Sequence, residues 1–262
     1  MMQSRKMETP ILTKAPLSKA PLSKAPLNKE WPKAVIMDLD GTLIDSAPDI
    51  ANALNKALID AEIEPFTLEE VRFMIGGGVP KLVERAFNAR ELPLEGPKEA
   101  QRLEEVISGV MDYYVAAPAI ETTIYDGVEF VLKTLCEQGV KVGLCTNKPQ
   151  NITELALEAL NMTAYFDAIV GGTNDTPRKP DPLTLNMCVD QLGLTAEDCL
   201  LVGDSGADKG AADAANMAVF LVEYGYYKNP VSELKPDATL PTMTDLLTHL
   251  FPELELSEGA RA

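Results

Sequence analysis

The chain has 262 residues, of which 46% are hydrophobic and 24% charged, a composition typical of a globular protein with one or two domains. Lys and Arg number 23 against 40 Asp and Glu, and the net charge of −17 argues against nucleic-acid binding, because phosphates need basic partners. The single histidine excludes a zinc site built on two or three histidines, and four cysteines without a CxxC pair favour a reduced, cytoplasmic protein.

The first 32 residues form a low-complexity segment. KAPLS, KAPLS and KAPLN follow one another over residues 14–28, and a proline in every repeat prevents a helix and leaves little to bury. Residues 1–33 hold seven basic and two acidic residues. We interpret residues 1–32 as a flexible, solvated tail rather than an electrostatic tether or a targeting segment. No apolar stretch approaches 18 residues, so we expect no membrane partner.

Short apolar runs that end in loops predict the strands of a parallel sheet. They are Lys33–Asp38, Lys141–Thr146, Ala168–Gly171, Cys199–Asp204 and Ala218–Glu223. Helices are predicted between the later runs, at Gly127–Gln138, Pro149–Leu160 and Pro182–Leu192. This alternation indicates an α/β fold, a Rossmann-like parallel sheet with helices on both faces. In such sheets the ligand site lies at the carboxyl ends of the strands.

The segment at 48–119 has helical patterns and no strand. Thr67 and Glu70 form a capping box that begins a helix at Leu68–Ile75, and three glycines end it. Further helices are predicted from Pro80 to Arg90 and at Pro97–Val115. We therefore predict an inserted all-helical cap domain at 48–119. The α/β core would comprise 33–47 and 120–250, followed by a C-terminal tail at 251–262.

Polar clusters follow several predicted strands. Asp38 and Asp40 come just after the first strand. In a site without histidine or a reactive cysteine, two carboxylates suggest a nucleophile and an acid/base with a cation between them. Thr146 and Asn147 offer a hydroxyl and backbone N–H groups at a helix start, where anions bind. Lys179, just before another helix, would neutralise a phosphate as a point charge.

A further cluster, GDSGAD, follows the run CLLV. Asp204 ends this strand and Asp208 lies one helical turn later, so both offer carboxylate oxygens to one point. Mg²⁺ is a hard cation that prefers carboxylates and water. Each cluster alone fits ordinary turn or cap chemistry. Together they supply acids, a metal site, a hydroxyl and a lysine at strand ends, which independent caps would not assemble.

DLDGTLIDS, the Thr of CTN, the Lys of RKPDP and GDSGAD resemble, in this order, the four motifs of the haloacid dehalogenase-like hydrolases. The resemblance covers about residues 33–250, and the helical insert resembles the family's cap of the first type. Within the family, VRFMIGGGVPKLVERAF and VEYGY resemble the phosphoglycolate phosphatases. This resemblance implies hydrolysis of a small phosphomonoester, 2-phosphoglycolate, to glycolate and phosphate.

The resemblance also implies the role of each site residue. Asp38 would attack phosphorus to form an aspartyl-phosphate, and Asp40 would act as acid and base. Mg²⁺ would be held by the carboxylates of Asp38 and Asp204 and the backbone carbonyl of Asp40, with Asp208 supporting them. The residues expected to bind phosphate or substrate are Thr42, Thr146, Asn147, Lys179, Gly77 and Gly78.

Other functions use a similar set of residues. A dehalogenase would not need Asp40. A sugar-phosphate phosphatase or phosphomutase would use the same acids and cap, and this alternative stays open. A non-catalytic interaction protein would be expected to lose one of Asp38, Asp40, Lys179 or Asp204, and all are present. The protein is expected to be a monomer or a homodimer.

Overall fold

A computed structural model of the protein describes residues 31–254. Most of the predicted N-terminal tail at 1–32 and of the predicted C-terminal tail at 251–262 lies outside these residues. Within the described part of the chain, no helix combines the length and the apolar character needed to cross a bilayer.

The core is a parallel sheet of six strands. The strands of the described chain are β1 Ala34–Met37, β2 Ile44–Asp45, β3 Thr123–Ile124, β4 Lys141–Pro149, β5 Ala168–Gly172, β6 Cys199–Gly203, β7 Ala218–Val222 and β8 Ala238–Leu240. The sheet order is β5-β4-β1-β6-β7-β8, so β1 lies between β4 and β6. The predicted α/β fold is confirmed.

Helices cover both faces of this sheet. The helices of the described chain are α1 Ala47–Asp60, α2 Leu68–Arg72, α3 Val79–Ala89, α4 Pro97–Ala116, α5 Val128–Glu137, α6 Gln150–Ala159, α7 Leu183–Leu192, α8 Gly206–Ala214 and α9 Asp245–Leu250. Side chains alternate across β1: Val35 and Met37 join one hydrophobic cluster with α5 and α9, whereas Ala34 and Ile36 join another with α7 and α8. Both faces are therefore buried, as a parallel sheet requires.

The helical cap comprises α1 to α4 and has its own hydrophobic cluster. Leu54, Phe87 and Val110 from three of its helices pack there, together with Ile152 from α6 of the core. Thr67 and Glu70 form the predicted capping box. The helix ends at Arg72 rather than at the predicted Ile75, and the chain then turns through three glycines with positive φ. The domain boundaries at 47/48 and 119/120 stay a prediction.

Three short strands were not predicted. β2 and β3 form an antiparallel pair that joins the chain entering the cap to the chain leaving it. β8 adds an edge strand beside β7. These strands have two or three residues each, too few to show a periodic pattern.

Candidate active site

The predicted site residues meet at the carboxyl edge of the sheet. Asp38 follows β1, Thr146 lies in β4 and Asp204 follows β6, and these strands are neighbours. Lys179 comes from the loop between β5 and α7. All four line one cavity of about 700 Å³ between the core and the cap, a volume within the range of small-molecule sites.

Lys179 connects two of the carboxylates. Its Nζ lies 3.1 Å from Oδ1 of Asp38 and 2.6 Å from Oδ1 of Asp208, and it donates to the backbone carbonyl of Cys145 at 2.6 Å. Burial by itself would lower the pKa of Lys179, but the two carboxylates raise it above its ordinary value. Lys179 is therefore a buried cation beside the predicted nucleophile.

The pKa of the Asp38 carboxyl group is raised. Burial raises the pKa of its carboxyl group to about 6, although Lys179 and the backbone N–H of Leu39 lower it. Most of the carboxyl group is therefore ionised at neutral pH, as a nucleophile requires. Burial also raises the pKa of the Cys145 thiol to about 11, so this cysteine is protonated at neutral pH and is a poor nucleophile.

Asp40 is held by a second buried lysine. Its Oδ1 accepts hydrogen bonds from Oγ of Ser46 at 2.6 Å and from Nζ of Lys148 at 2.9 Å. Lys148 also contacts the hydroxyl of Tyr114, which α4 of the cap contributes. Burial alone would lower the pKa of Lys148, but Asp40 and Tyr114 raise it. The two catalytic candidates thus have separate cations.

Lys148 and Tyr114 were missed at the sequence level. Lys148 follows Thr146 and Asn147 in the second cluster, so its position was a signal for its role. Tyr114 gave no such signal, because an aromatic residue on a long amphipathic helix usually belongs to the core. Only the packing of the cap on the core brings it to Lys148.

Three acidic residues are close enough to hold one metal ion. Asp38, Asp204 and Asp208 each offer a carboxylate oxygen, and these oxygens lie within 4.8 Å of one another. Burial raises the pKa of Asp204 well above its ordinary value, and the charges of Asp208 and Asp38 raise it further. The three candidate ligand atoms are all carboxylate oxygens, so the donor set fits a hard cation such as Mg²⁺.

Glycines allow the backbone to approach Asp204 closely. A Cβ at Gly41 or at Gly225 would lie no more than 3.0 Å from Oδ2 of Asp204. The same Oδ2 accepts a hydrogen bond from the backbone N–H of Tyr226 at 2.7 Å. Asp204 is therefore fixed by its neighbours, and no larger residue fits at the two glycines without moving it.

The model of the haloacid dehalogenase-like hydrolase family matches residues 35–222, most of the chain. The chain belongs to this family. A phosphoglycolate phosphatase of Cereibacter sphaeroides is 42% identical over 200 residues, which cover 76% of this chain and 89% of that protein. Phosphoglycolate phosphatase 1 of Pseudomonas aeruginosa is 36% identical over 217 residues, covering 82% and 79% of the two chains. These similarities confirm the prediction of a phosphoric monoester hydrolase.

A solved structure of this hydrolase family has the same architecture. The crystal structure of a predicted phosphoglycolate phosphatase from Haemophilus somnus superimposes with a TM-score of 0.75 at 29% identity. The match covers 86% of this chain and 99% of that one. The similarity extends over the cap as well as the α/β core.

One of the residues predicted to bind phosphate, Asn147, uses its side chain to hold the backbone of this hydrolase. The side-chain amide of Asn147 bonds to the backbone of Lys179: its Nδ2 donates to the carbonyl of Lys179 at 3.0 Å, and its Oδ1 accepts from the N–H of Lys179 at 2.8 Å. Asn147 also lines the cavity, and its role in binding phosphate stays a prediction. A side-chain amide in a loop bonds readily to backbone groups, and here it fixes the backbone of Lys179.

The remaining predicted residues differ in their distance from the cavity. Thr146 lines it, and its Oγ1 accepts from the N–H of Lys148 at 3.2 Å. Gly77 and Gly78 line it from the cap side. Thr42 is fully buried, is absent from the cavity wall, and its Oγ1 has no hydrogen-bond partner among residues 31–254. The structure thus brings together the predicted site residues except Thr42.

Both carboxylate oxygens of Asp208 already accept hydrogen bonds within the protein. Its Oδ1 accepts from Lys179, and its Oδ2 accepts from Oγ of Ser205 at 2.6 Å and from the N–H of Ser205 at 3.1 Å. These bonds form the capping box of α8. The carboxylate of Asp40 does not belong to the acidic group that could hold a metal, since Lys148 and Ser46 bind it.

Proposed function

We propose that this protein is a Mg²⁺-dependent phosphatase that hydrolyses 2-phosphoglycolate to glycolate and phosphate through an aspartyl-phosphate on Asp38. The observation that carries the proposal is the pair Asp38 and Asp40, which face one cavity and each lie beside a different buried lysine. Two carboxylates with separate cations suit two different roles. The substrate is inferred from the names of the relatives that share this chain's sequence.

In the first step an oxygen of Asp38 attacks phosphorus, and the bond between phosphorus and the ester oxygen breaks. Lys179 carries positive charge 3.1 Å from Asp38, where a negatively charged phosphate must approach. The hydroxyl of Thr146, in the same cavity wall, would donate to a phosphate oxygen. Mg²⁺ bound by Asp38 and Asp204, with Asp208 supporting them, would further neutralise the phosphate oxygens.

Asp40 then carries the proton transfers. In its acid form it gives a proton to the leaving glycolate oxygen, and afterwards its carboxylate takes a proton from the water that attacks the aspartyl-phosphate. Ser46 and Lys148 hold this carboxyl group in one orientation. The cap covers the cavity and excludes bulk water during transfer.

The proposal is tested by measuring phosphate release, with and without Mg²⁺, from 2-phosphoglycolate, sugar phosphates and nucleotides. We expect Mg²⁺-dependent release with a clear preference for 2-phosphoglycolate. A preference for a sugar phosphate would replace the substrate but keep the chemistry. Transfer of the phosphoryl group to a second sugar position, without release, would identify a phosphomutase instead.

The nucleophile is tested with Asp38→Asn, which should abolish turnover while the thermal unfolding temperature changes little. Asp190→Asn is a matched control, because Asp190 is exposed on α7. After an acid quench, mass spectrometry should detect phosphate on the peptide that contains Asp38, and hydroxylamine should remove it. Turnover by Asp38→Asn at the wild-type rate would refute the assignment.

A further inference from the structure

Arg178 has a position in the site that the proposed mechanism does not use. It immediately precedes Lys179 and lines the same cavity as Asp38. Its Nε is buried and has no hydrogen-bond partner among the residues that the structure describes. A buried donor without a partner is costly, which makes this guanidinium a candidate for binding a ligand.

The cap closes on Arg178 at a glycine. Gly78 has a φ of +82°, and a Cβ there would lie 2.7 Å from Nε of Arg178. On the core side, a Cβ at Gly172 would lie 3.4 Å from the same atom. Gly78 is also the N-cap residue of α3, and no side chain there accepts a hydrogen bond from the first N–H groups of the helix. The guanidinium therefore lies between the core and the N-terminus of a cap helix, where a negative charge is favoured.

The other arginine of the cavity wall is already used. Arg85 donates to the backbone carbonyls of Met74, Ile75 and Gly76, and so holds the cap loop in shape. Lys81 pairs with Glu84 at 2.6 Å. Between Arg85 and Arg178, the two arginines of this wall within residues 31–254, Arg178 is the one with an unpartnered buried donor.

The backbone at Arg178 is tied to the segment that lies beside the nucleophile. Asn147 binds both backbone groups of Lys179, and the Nζ of Lys179 lies beside Asp38. Arg178 is joined to this lysine by one peptide bond, so the backbone that carries the guanidinium is held next to the backbone that carries the phosphate-side ammonium. A two-carbon acid with phosphate at one end and carboxylate at the other offers one anionic group to each of these two cations.

We propose that Arg178 binds the carboxylate of the substrate and selects a short phosphorylated carboxylic acid over neutral phosphate esters. This inference rests on the proposed function and identifies the residue that gives it specificity. A guanidinium donates two parallel hydrogen bonds to a carboxylate, which an ammonium does not do. The N-terminus of α3, the positive end of that helix dipole, would also attract the carboxylate. A bound carboxylate would therefore draw the cap onto the core.

The test compares 2-phosphoglycolate with 2-hydroxyethyl phosphate, which replaces the carboxylate by a neutral CH₂OH group. Arg178→Gln should lower kcat/KM for 2-phosphoglycolate by about 10- to 100-fold, mainly through KM, because hydrogen bonds to a charged group are lost. The same variant should hydrolyse 2-hydroxyethyl phosphate within about 2-fold of the wild-type rate, since the proposed contact is absent there. Arg178→Lys should be intermediate. Arg102→Gln, which removes a cap arginine bonded to the carbonyl of Ala61, is the matched control.

The outcomes separate this inference from the function on which it rests. If the wild type prefers 2-phosphoglycolate but Arg178→Gln keeps that preference, or loses activity equally on both esters, the role of Arg178 is refuted and the function stands. If the wild type releases no phosphate from 2-phosphoglycolate, the proposed function fails, and the assignment of Arg178 fails with it. A selective loss on the carboxylate substrate supports both.

Discussion

Replacement of Gly41 by alanine tests the metal site without removing any of its carboxylates. Gly41 has a φ of +83°, and an added Cβ would lie no more than 3.0 Å from both Oδ2 and Cγ of Asp204. Gly139 provides a matched control, because its φ is +75° and nothing lies within 4 Å of an added Cβ. Both alanines strain the backbone, but only one of them meets Asp204.

The expected magnitudes differ for this reason. Gly139→Ala should lower the free energy of unfolding by about 1–2 kcal/mol, the cost of a side chain at positive φ. In a chain of this size that corresponds to a fall in Tm of roughly 2–8 °C. Gly41→Ala bears the same strain and must also displace Asp204, which is buried and bonded to the N–H of Tyr226. We expect the Mg²⁺ concentration for half-maximal activity to rise about 10- to 100-fold, as when groups that orient a metal ligand are changed.

Two measurements check this prediction. Thermal unfolding with and without Mg²⁺ gives the stability of each variant, and phosphate release during a Mg²⁺ titration gives the metal requirement. Gly139→Ala should have the wild-type requirement despite its lower Tm. If Gly41→Ala needs no more Mg²⁺ than Gly139→Ala, then Asp204 does not act as a metal ligand and the reasoning is refuted.

Three other changes address the acid/base, the cap and the tail. Lys148→Met should lower kcat by about 100-fold or more, because the carboxylate of Asp40 loses the ammonium that lies 2.9 Å from its Oδ1. Steady-state kinetics check this, and Lys133→Met, at an exposed lysine, is the control. Asp49→Ala should lower the free energy of unfolding by about 2–4 kcal/mol, because the backbone N–H groups of Glu121 and Thr122 and the hydroxyl of Thr122 lose their acceptor. Urea unfolding measures this change, and a loss below about 0.5 kcal/mol would contradict the prediction. Deletion of residues 1–30 should leave kcat and KM unchanged, and a collapse of activity would show that the tail is more than a solvated extension.

Most strands of the main sheet and most of the candidate site could be predicted from the sequence because both depend on local signals. Apolar runs of four or five residues mark the buried strands, and the polar residues that follow them must meet at one edge of a parallel sheet. Asp38, Asp40 and Asp204 were found in this way, and Lys179 was found from its place just before a predicted helix. The capping box at the start of α2 was found because it depends on two residues three positions apart.

The contacts that the sequence did not reveal share a different cause, which is contact between distant segments. The side chain of Asn147 bonds to the backbone of Lys179, which lies 32 residues away. Tyr114 reaches Lys148 from another domain, 34 residues away in sequence. The first pair forms only when the core folds and the second only when the cap packs on the core, and one sequence without that geometry does not reveal them.

The contact between Tyr114 and Lys148 has a consequence for how the two domains are related. The ammonium that holds the acid/base of the core also contacts a hydroxyl that belongs to the insert. The insert is therefore part of the electrostatic environment of the reaction as well as a cover over it. A chimera that carries the cap of another hydrolase would need a comparable hydroxyl at this position on its last helix, or Lys148 would lose one of its two side-chain partners. Exchange of caps between such proteins is thus constrained by a single tyrosine, however well the rest of the interface packs.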